Sequence, residues 1–108
     1  MNEQWAAGLL EGEGCFSMHK RKGKDYYECA IHCEMTDEDV LLTLHKVLGE
    51  GTLSQRPPRN TRKRTWILSI QNQQGIRNVL NKILPYLHSR RTEKAKEMLD
   101  YLEDRYGS

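Results

Sequence analysis

Glu13 stands in the setting with most chemistry in this chain. Trp5 to Glu13 reads as a short helix of alanines, leucines and glutamates. Glu13 is its last residue, where the macrodipole disfavours negative charge, and a nearby cation reverses that penalty. Gly8 and Gly12 sit inside the same helix, each about 1 kcal/mol worse than alanine. Spaced by four, they lie on one face, one above the other. That spacing lets a second backbone approach closely. The segment is too short and too acidic to span a membrane, so the expected partner is another helix in water. At about 100° per residue, Glu11 and Glu13 point in nearly opposite directions, and Glu13 flanks the glycine face. One copy therefore offers one carboxylate here. If the partner helix is a second copy, the two-fold axis brings two Glu13 side chains together, a pairing suited to divalent metal ions. Gly14 fits the left-handed position that ends a helix.

The rest of the chain must position that carboxylate. Cys15 to Arg21 alternates, with Phe16 and Met18 inward and Ser17, His19 and Arg21 outward. Lys22 to Asp25 is a turn. Tyr26 to Met35 returns, with Tyr27, Cys29, Ile31, Cys33 and Met35 inward and Glu28, Ala30, His32 and Glu34 outward. Thr36 caps a second helix, followed by Asp37, Glu38 and Asp39 in its first turn. Val40, Leu41, Leu44, Val47 and Leu48 form its apolar stripe, and Gly49 stops it. Gly51 to Arg56 is a third strand, with Leu53 inward and Ser54 and Arg56 outward. Lys63 to Gln71 is a fourth, with Trp66, Leu68 and Ile70 inward and Thr65, Ile67 and Ser69 outward. Asn72 to Gly75 turns the chain into a helix striped by Ile76, Val79, Leu80, Ile83 and Leu84, ended by Pro85. Ser89 caps a last helix. The expected fold is α+β: two hairpins in one four-stranded antiparallel sheet, with helices on its apolar face. The other face is polar, mixing hydrogen-bond donors and acceptors, as a surface in a DNA major groove must. It is equally the composition of an ordinary solvated sheet face.

Length and composition frame this. One domain over residues 1–108 holds a modest core, with 37% apolar and 30% charged residues. Net charge is only +2, so placement matters more than total. Lys20, Arg21, Lys22 and Lys24 form one basic cluster and Arg56, Arg59, Arg62, Lys63 and Arg64 another. On one sheet they make a polyanion surface; the plainer reading is solvated hairpin tips. No signal or transmembrane run is expected. Three cysteines, an odd number, argue against a disulfide framework and for a reducing compartment. Zinc is disfavoured, since Cys29 and Cys33 form no tight ligand pair with His19, His32 or His45.

The stretch Ala6-Ala7-Gly8-Leu9-Leu10-Glu11-Gly12-Glu13-Gly14, followed by Cys15-Phe16, resembles the LAGLIDADG motif of homing endonucleases. Ala6 in place of leucine is its clear departure. The element order αββαββα, with the motif on the first helix, resembles the family core over essentially the whole chain, and a single motif resembles its homodimeric members. The resemblance implies a DNA-facing saddle on the polar sheet face. It implies two motif helices packed at Gly8 and Gly12, with Trp5 and Leu9 beside them. Glu13 then binds metal at the scissile phosphates, with the backbone carbonyl of Gly12 as a further ligand. Mg²⁺ or Mn²⁺ would support phosphodiester hydrolysis, and Ca²⁺ would bind without it. Asp37 falls where the family places a polar residue near the attacking water, although first-turn helix chemistry explains it equally well. After Pro85-Tyr86-Leu87, Arg90 is the candidate to stabilise transition-state charge, with Arg91 as fallback. Lysine is usual there, and arginine cannot shuttle a proton.

The implied target is a long, near-palindromic duplex, with no small-molecule substrate and no membrane. Arg21 and Arg56 would read guanine, and His19, His32, Ser54 and Thr65 other bases. Ser17, Ala30 and Ile67 share that face. Lys22, Lys24, Arg59, Arg62 and Lys63 would touch phosphates. Glu28 and Glu34 would take cytosine or bridging water. The expected location is the cytoplasm or nucleoid, or an organellar matrix, and not outside the cell. Two other readings stand beside this one. The first is a non-cleaving RNA-binding factor or regulator on the same fold. The second is an unrelated α+β module in which Gly8 and Gly12 pack inside the domain.

Overall fold

The computed structural model describes residues 2–57 and 63–107, and at Ser89 the backbone alone. Helix α1 runs Glu3–Glu13, strands β1 and β2 Gly14–Lys20 and Tyr27–Met35, and helix α2 Glu38–Leu48. Strands β3 and β4 run Thr52–Arg56 and Thr65–Ile70. Helix α3 runs Gln73–Ile83, followed by a 3-10 turn at Leu84–Tyr86 and helix α4 at Ser89–Tyr106. The two hairpins share one antiparallel sheet in the order β1-β2-β4-β3. This is the expected α+β arrangement.

Helix starts are where the chain departs from the expected boundaries. Asn2 accepts the Trp5 N–H at 3.0 Å and so begins α1 two residues early. Asn72 accepts the Gly75 N–H at 2.6 Å and draws residues 73–75 into α3. In each case an asparagine side chain satisfies an N–H that the first turn leaves unpaired. Helix α2 is capped at Asp37 rather than Thr36, and the Asp37 side chain makes no cap hydrogen bond. Helix α4 takes His88 as its cap residue, with Ser89 already helical.

Gly14 also corrects the sequence reading. Its φ of −87° and ψ of 164° are extended, not left-handed. Helix α1 passes directly into β1 with no loop, and a Cβ on Gly14 would lie 2.7 Å from the Leu10 carbonyl oxygen. Glycine is needed there for close approach. The left-handed exit expected at Gly49 is present, at φ 70°.

The core lies between the sheet and the helices. Phe16, Cys29, Ile31, Cys33, Leu68 and Ile70 from the sheet meet Ala6, Ala7, Leu10, Leu41, Leu44, Leu48, Val79, Leu80, Ile83 and Met98 from the helices. Met18, Met35, Leu53 and Trp66 pack against it partly buried. Tyr27 departs from the inward set and is 38% exposed. Strand β4 ends at Ile70 opposite Ile31, so β2 runs on toward Tyr27 beside β1 alone.

Candidate nucleic-acid interface and metal end of the first helix

Helix α1 turns Ala6, Ala7 and Leu10 into the core and leaves Gly8 and Gly12 exposed. Among the described residues, a Cβ built on either glycine meets nothing within 4 Å. The domain's own packing therefore does not explain them, which removes the reading in which they pack inside it. Trp5 and Leu9, beside them, are half-buried against the core.

Glu13 ends this exposed face and is itself exposed. Among the described residues it makes no ion pair and no side-chain hydrogen bond. It sits at the C-terminal end of α1, where no basic residue occupies the last turn, so its charge opposes the dipole uncompensated. A carboxylate and a backbone carbonyl, as Glu13 and Gly12 offer, are both hard oxygen donors of the type that Mg²⁺, Mn²⁺ and Ca²⁺ take. Among the described residues no three His, Cys, Asp or Glu side chains converge as a metal-binding group. Cys29 and Cys33 are core residues, and burial pushes the Cys33 thiol up to about 11, with the Glu13 charge adding.

The other expected site residues divide by end of the sheet. Strand β2 ends two residues before Asp37, at the same end of the sheet where α1 delivers Glu13 to Gly14, the partner of Cys33. The Asp37 backbone carbonyl accepts the Leu41 N–H at 3.4 Å, which leaves its exposed carboxylate unused by the helix. Glu11, which the sequence reading set aside, ties α1 to α4. Its carboxylate accepts the His88 N–H at 2.9 Å and lies 3.4 Å from His88 Nδ1. That contact fixes the start of α4, where Arg90 is exposed and Arg91 is half-buried with its guanidinium over the Phe16 ring at 5.6 Å.

The outer sheet face carries a cross-strand pattern. Cys15, His32, Ser69 and Thr52 form one row, and Glu34, Ile67 and Ser54 another. Arg56 lies opposite Thr65. Its acids are already engaged. Arg21 donates to Glu28 at 2.6 Å, which raises the Arg21 pKa still further above its ordinary value. Glu34 accepts the Thr65 hydroxyl at 2.6 Å and lies 3.9 Å from Arg56. Arg21 and Arg56, the expected base readers, are therefore each paired with a neighbouring glutamate. Ser17 donates to the Ala30 carbonyl at 3.4 Å. Ile67 points outward, yet it is 7% exposed and forms an apolar floor between Glu34 and Ser54. His19, Lys22, Lys24, Ser54 and Lys63 are exposed. Arg59 and Arg62 lie outside the described residues.

An αββαββα unit with a glycine-faced first helix, an acid at its end and a polar outer sheet face is the class of α+β domain that the fold defines. The chain belongs to the LAGLIDADG endonuclease family, whose model matches residues 6–103. It is 30% identical over 80 residues to a probable intron-encoded endonuclease aI2 of Debaryomyces hansenii, covering 74% of this chain and 11% of that protein. The same identity and coverage relate it to the intron-encoded RNA maturase bI4 of Saccharomyces cerevisiae. The chain thus spans about a tenth of these relatives' length. Among solved structures it is similar to the homing endonuclease I-CvuI, determined with its target in the presence of calcium. The TM-score is 0.74 and the identity 23%, with 94% of this chain and 65% of that one covered. That likeness establishes the shared fold.

Proposed function

We propose that this chain is a homodimeric, divalent-metal-dependent, site-specific DNA endonuclease. The observation that carries the reading is the outer face of α1. Two glycines that no contact among the described residues explains lead to an exposed acid with no partner among those residues. Packing two such helices across a two-fold axis would cover the glycines and bring the two Glu13 carboxylates together. A divalent metal held there would supply the Lewis acidity for activating a water and for stabilising the leaving oxygen of the phosphodiester. Glu13 and the Gly12 carbonyl would hold it. Asp37 would orient the water from the end of β2. Arg90 would steady developing phosphate charge, a task suited to a permanently charged fork. Arg91, committed to Phe16, is the weaker candidate. The outer sheet rows would lie in the major groove of a long, near-palindromic duplex. The protein would then work beside DNA in the cytoplasm, nucleoid or an organellar matrix.

The test is a cleavage selection with Mg²⁺ on a large pool of duplex DNA, comparing wild type with Glu13→Gln. The expected result is one near-palindromic site cut by wild type, with cutting lost in the variant and binding within about threefold. Loss of binding together with cutting would remove Glu13 from the metal role. A second reading, a non-cleaving RNA-binding factor, is favoured by the similarity to an RNA maturase. Retention of duplexes or structured RNA with no cutting by either protein would select it.

A further inference from the structure

We propose that the notch where β2 outruns β4 is a binding site for a single unstacked nucleobase, which the strand lying on the sheet face inserts edge-on. The inference rests on the reading of the outer sheet face as a nucleic-acid surface, and it adds a place where a base leaves the stack. Four observations support it.

The first is topological. Strand β4 stops at Ile70, paired with Ile31, while β2 continues to Tyr27 beside β1. The Tyr27 N–H points away from β1 and donates to the Tyr101 hydroxyl at 2.8 Å. Alternation along an antiparallel strand turns the Cys29 peptide groups the same way. The second is space. A cavity of about 650 Å³ lies here, lined by Ser17 and His32 from β1 and β2, by Gln71 just past β4 and by Leu102 from α4. Its lining therefore shares Ser17, His19, Glu28 and His32 with the proposed groove contacts. The third is aromatic surface. Tyr26, Tyr27 and Tyr106 line the cavity, and the Arg105 guanidinium lies 5.4 Å from the Tyr26 ring centroid and 5.8 Å from that of Tyr106. Tyr27 is held edge-on to Tyr101 at 5.4 Å. The fourth is an unpaired acceptor. Gln73 lines the cavity, and among the described residues its buried Oε1 has no hydrogen-bond partner. Buried polar atoms are usually paired.

Together these make a partly aromatic slot beside a strand edge, with a buried amide oxygen that has no partner among the described residues. A nucleobase is flat, stacks on aromatic rings and guanidinium planes, and carries donors on its Watson–Crick edge for an acceptor such as Gln73 Oε1. A paired base in a duplex cannot enter. An unpaired base in structured RNA enters without breaking a pair, and a flipped DNA base enters after breaking one.

The experiment measures binding to three probes: an RNA duplex with one bulged 2-aminopurine, the same duplex fully paired, and the bulged duplex in DNA. Free 2-aminopurine riboside is a fourth arm. Wild type is expected to hold the bulged RNA about tenfold tighter than the paired duplex and to quench the 2-aminopurine, consistent with stacking on one aromatic platform. Tyr106→Ala and, separately, Gln73→Leu should reduce that preference to near unity while binding of the paired duplex stays unchanged. Tyr106→Phe should retain it. A preference shared by bulged RNA and bulged DNA supports the slot and shows that it reads the base alone. Equal binding of bulged and paired duplexes overturns the slot and leaves the sheet-face reading standing. Absence of binding to every duplex overturns both. Riboside binding as tight as the bulged RNA overturns the strand-inserted base in favour of a free nucleoside.

Discussion

The three cysteines separate by surroundings, and the separation is measurable. Cys15 is exposed, whereas Cys29 and Cys33 are buried. Burial raises the Cys33 pKa from 9.0 to about 11, with the Glu13 carboxylate adding to the rise. The folded state thus keeps a proton that the unfolded chain releases near pH 9. That stabilisation is complete below the unfolded value and is lost as pH rises through the folded one. A rise of this size corresponds to roughly 2–3 kcal/mol. Urea unfolding of wild type and Cys33→Ala should show the larger loss in wild type between pH 9 and pH 11; parallel losses would count against the burial effect. Maleimide should label Cys15 in the native protein and reach Cys29 and Cys33 only after unfolding. Residue roles of this kind were half legible in sequence. Alternation placed Cys29, Ile31 and Cys33 in the core because one sheet face is buried. It could not show that Glu11 turns back to the His88 N–H, a contact made across 77 positions. Nor could it show that Arg21 and Arg56 begin paired with Glu28 and Glu34.

At the scale of elements, α1 is under two opposed demands. As an isolated helix it would gain from alanine at Gly8 or Gly12, since a Cβ there meets nothing within 4 Å. The expected gain is about 0.5–1 kcal/mol in the monomer. As one half of a proposed helix pair it would lose close approach. Gly8→Leu should therefore preserve the fold by circular dichroism and shift the mass in sedimentation from dimer to monomer. Unchanged dimer mass would move the interface elsewhere. The elements themselves were legible from periodicity, because α2 and α3 each bury one stripe and β2 alternates cleanly from Cys29 to Cys33, although β4 buries Ile67 and Leu68 side by side. Their edges were less so. Asn2 and Asn72 are capping residues by type, yet an asparagine before a glutamate- or glutamine-rich turn reads equally as loop. The continuous step from α1 into β1 at Gly14 carries no sequence signal separating it from a left-handed cap. The break at Tyr27 depends on where a different strand, β4, stops.

For the whole molecule, a net charge of +2 cannot hold a polyanion by its total, so the proposed nucleic-acid affinity would come from where the cations stand. Lys22 and Lys24 are exposed on the β1–β2 turn, and Lys63 and Arg64 precede β4. Residues on turns flanking a sheet suit phosphates, and residues within its rows suit bases. The two kinds predict different losses. Replacing both Lys22 and Lys24 by alanine removes up to two phosphate contacts per chain. The slope of log K against log salt should then shrink by roughly 0.9 per contact, or about 3–4 for a homodimer. The recovered target sequence should stay the same. Arg56→Ala leaves those contacts in place and frees Glu34 from its nearest arginine. It should relax base preference at one position in each half-site, with each lost bidentate contact worth about 1–3 kcal/mol of discrimination, and leave the slope nearly intact. A lysine pair that altered the target, or an Arg56 change that moved the slope alone, would reverse the assignment of turns to backbone and rows to sequence.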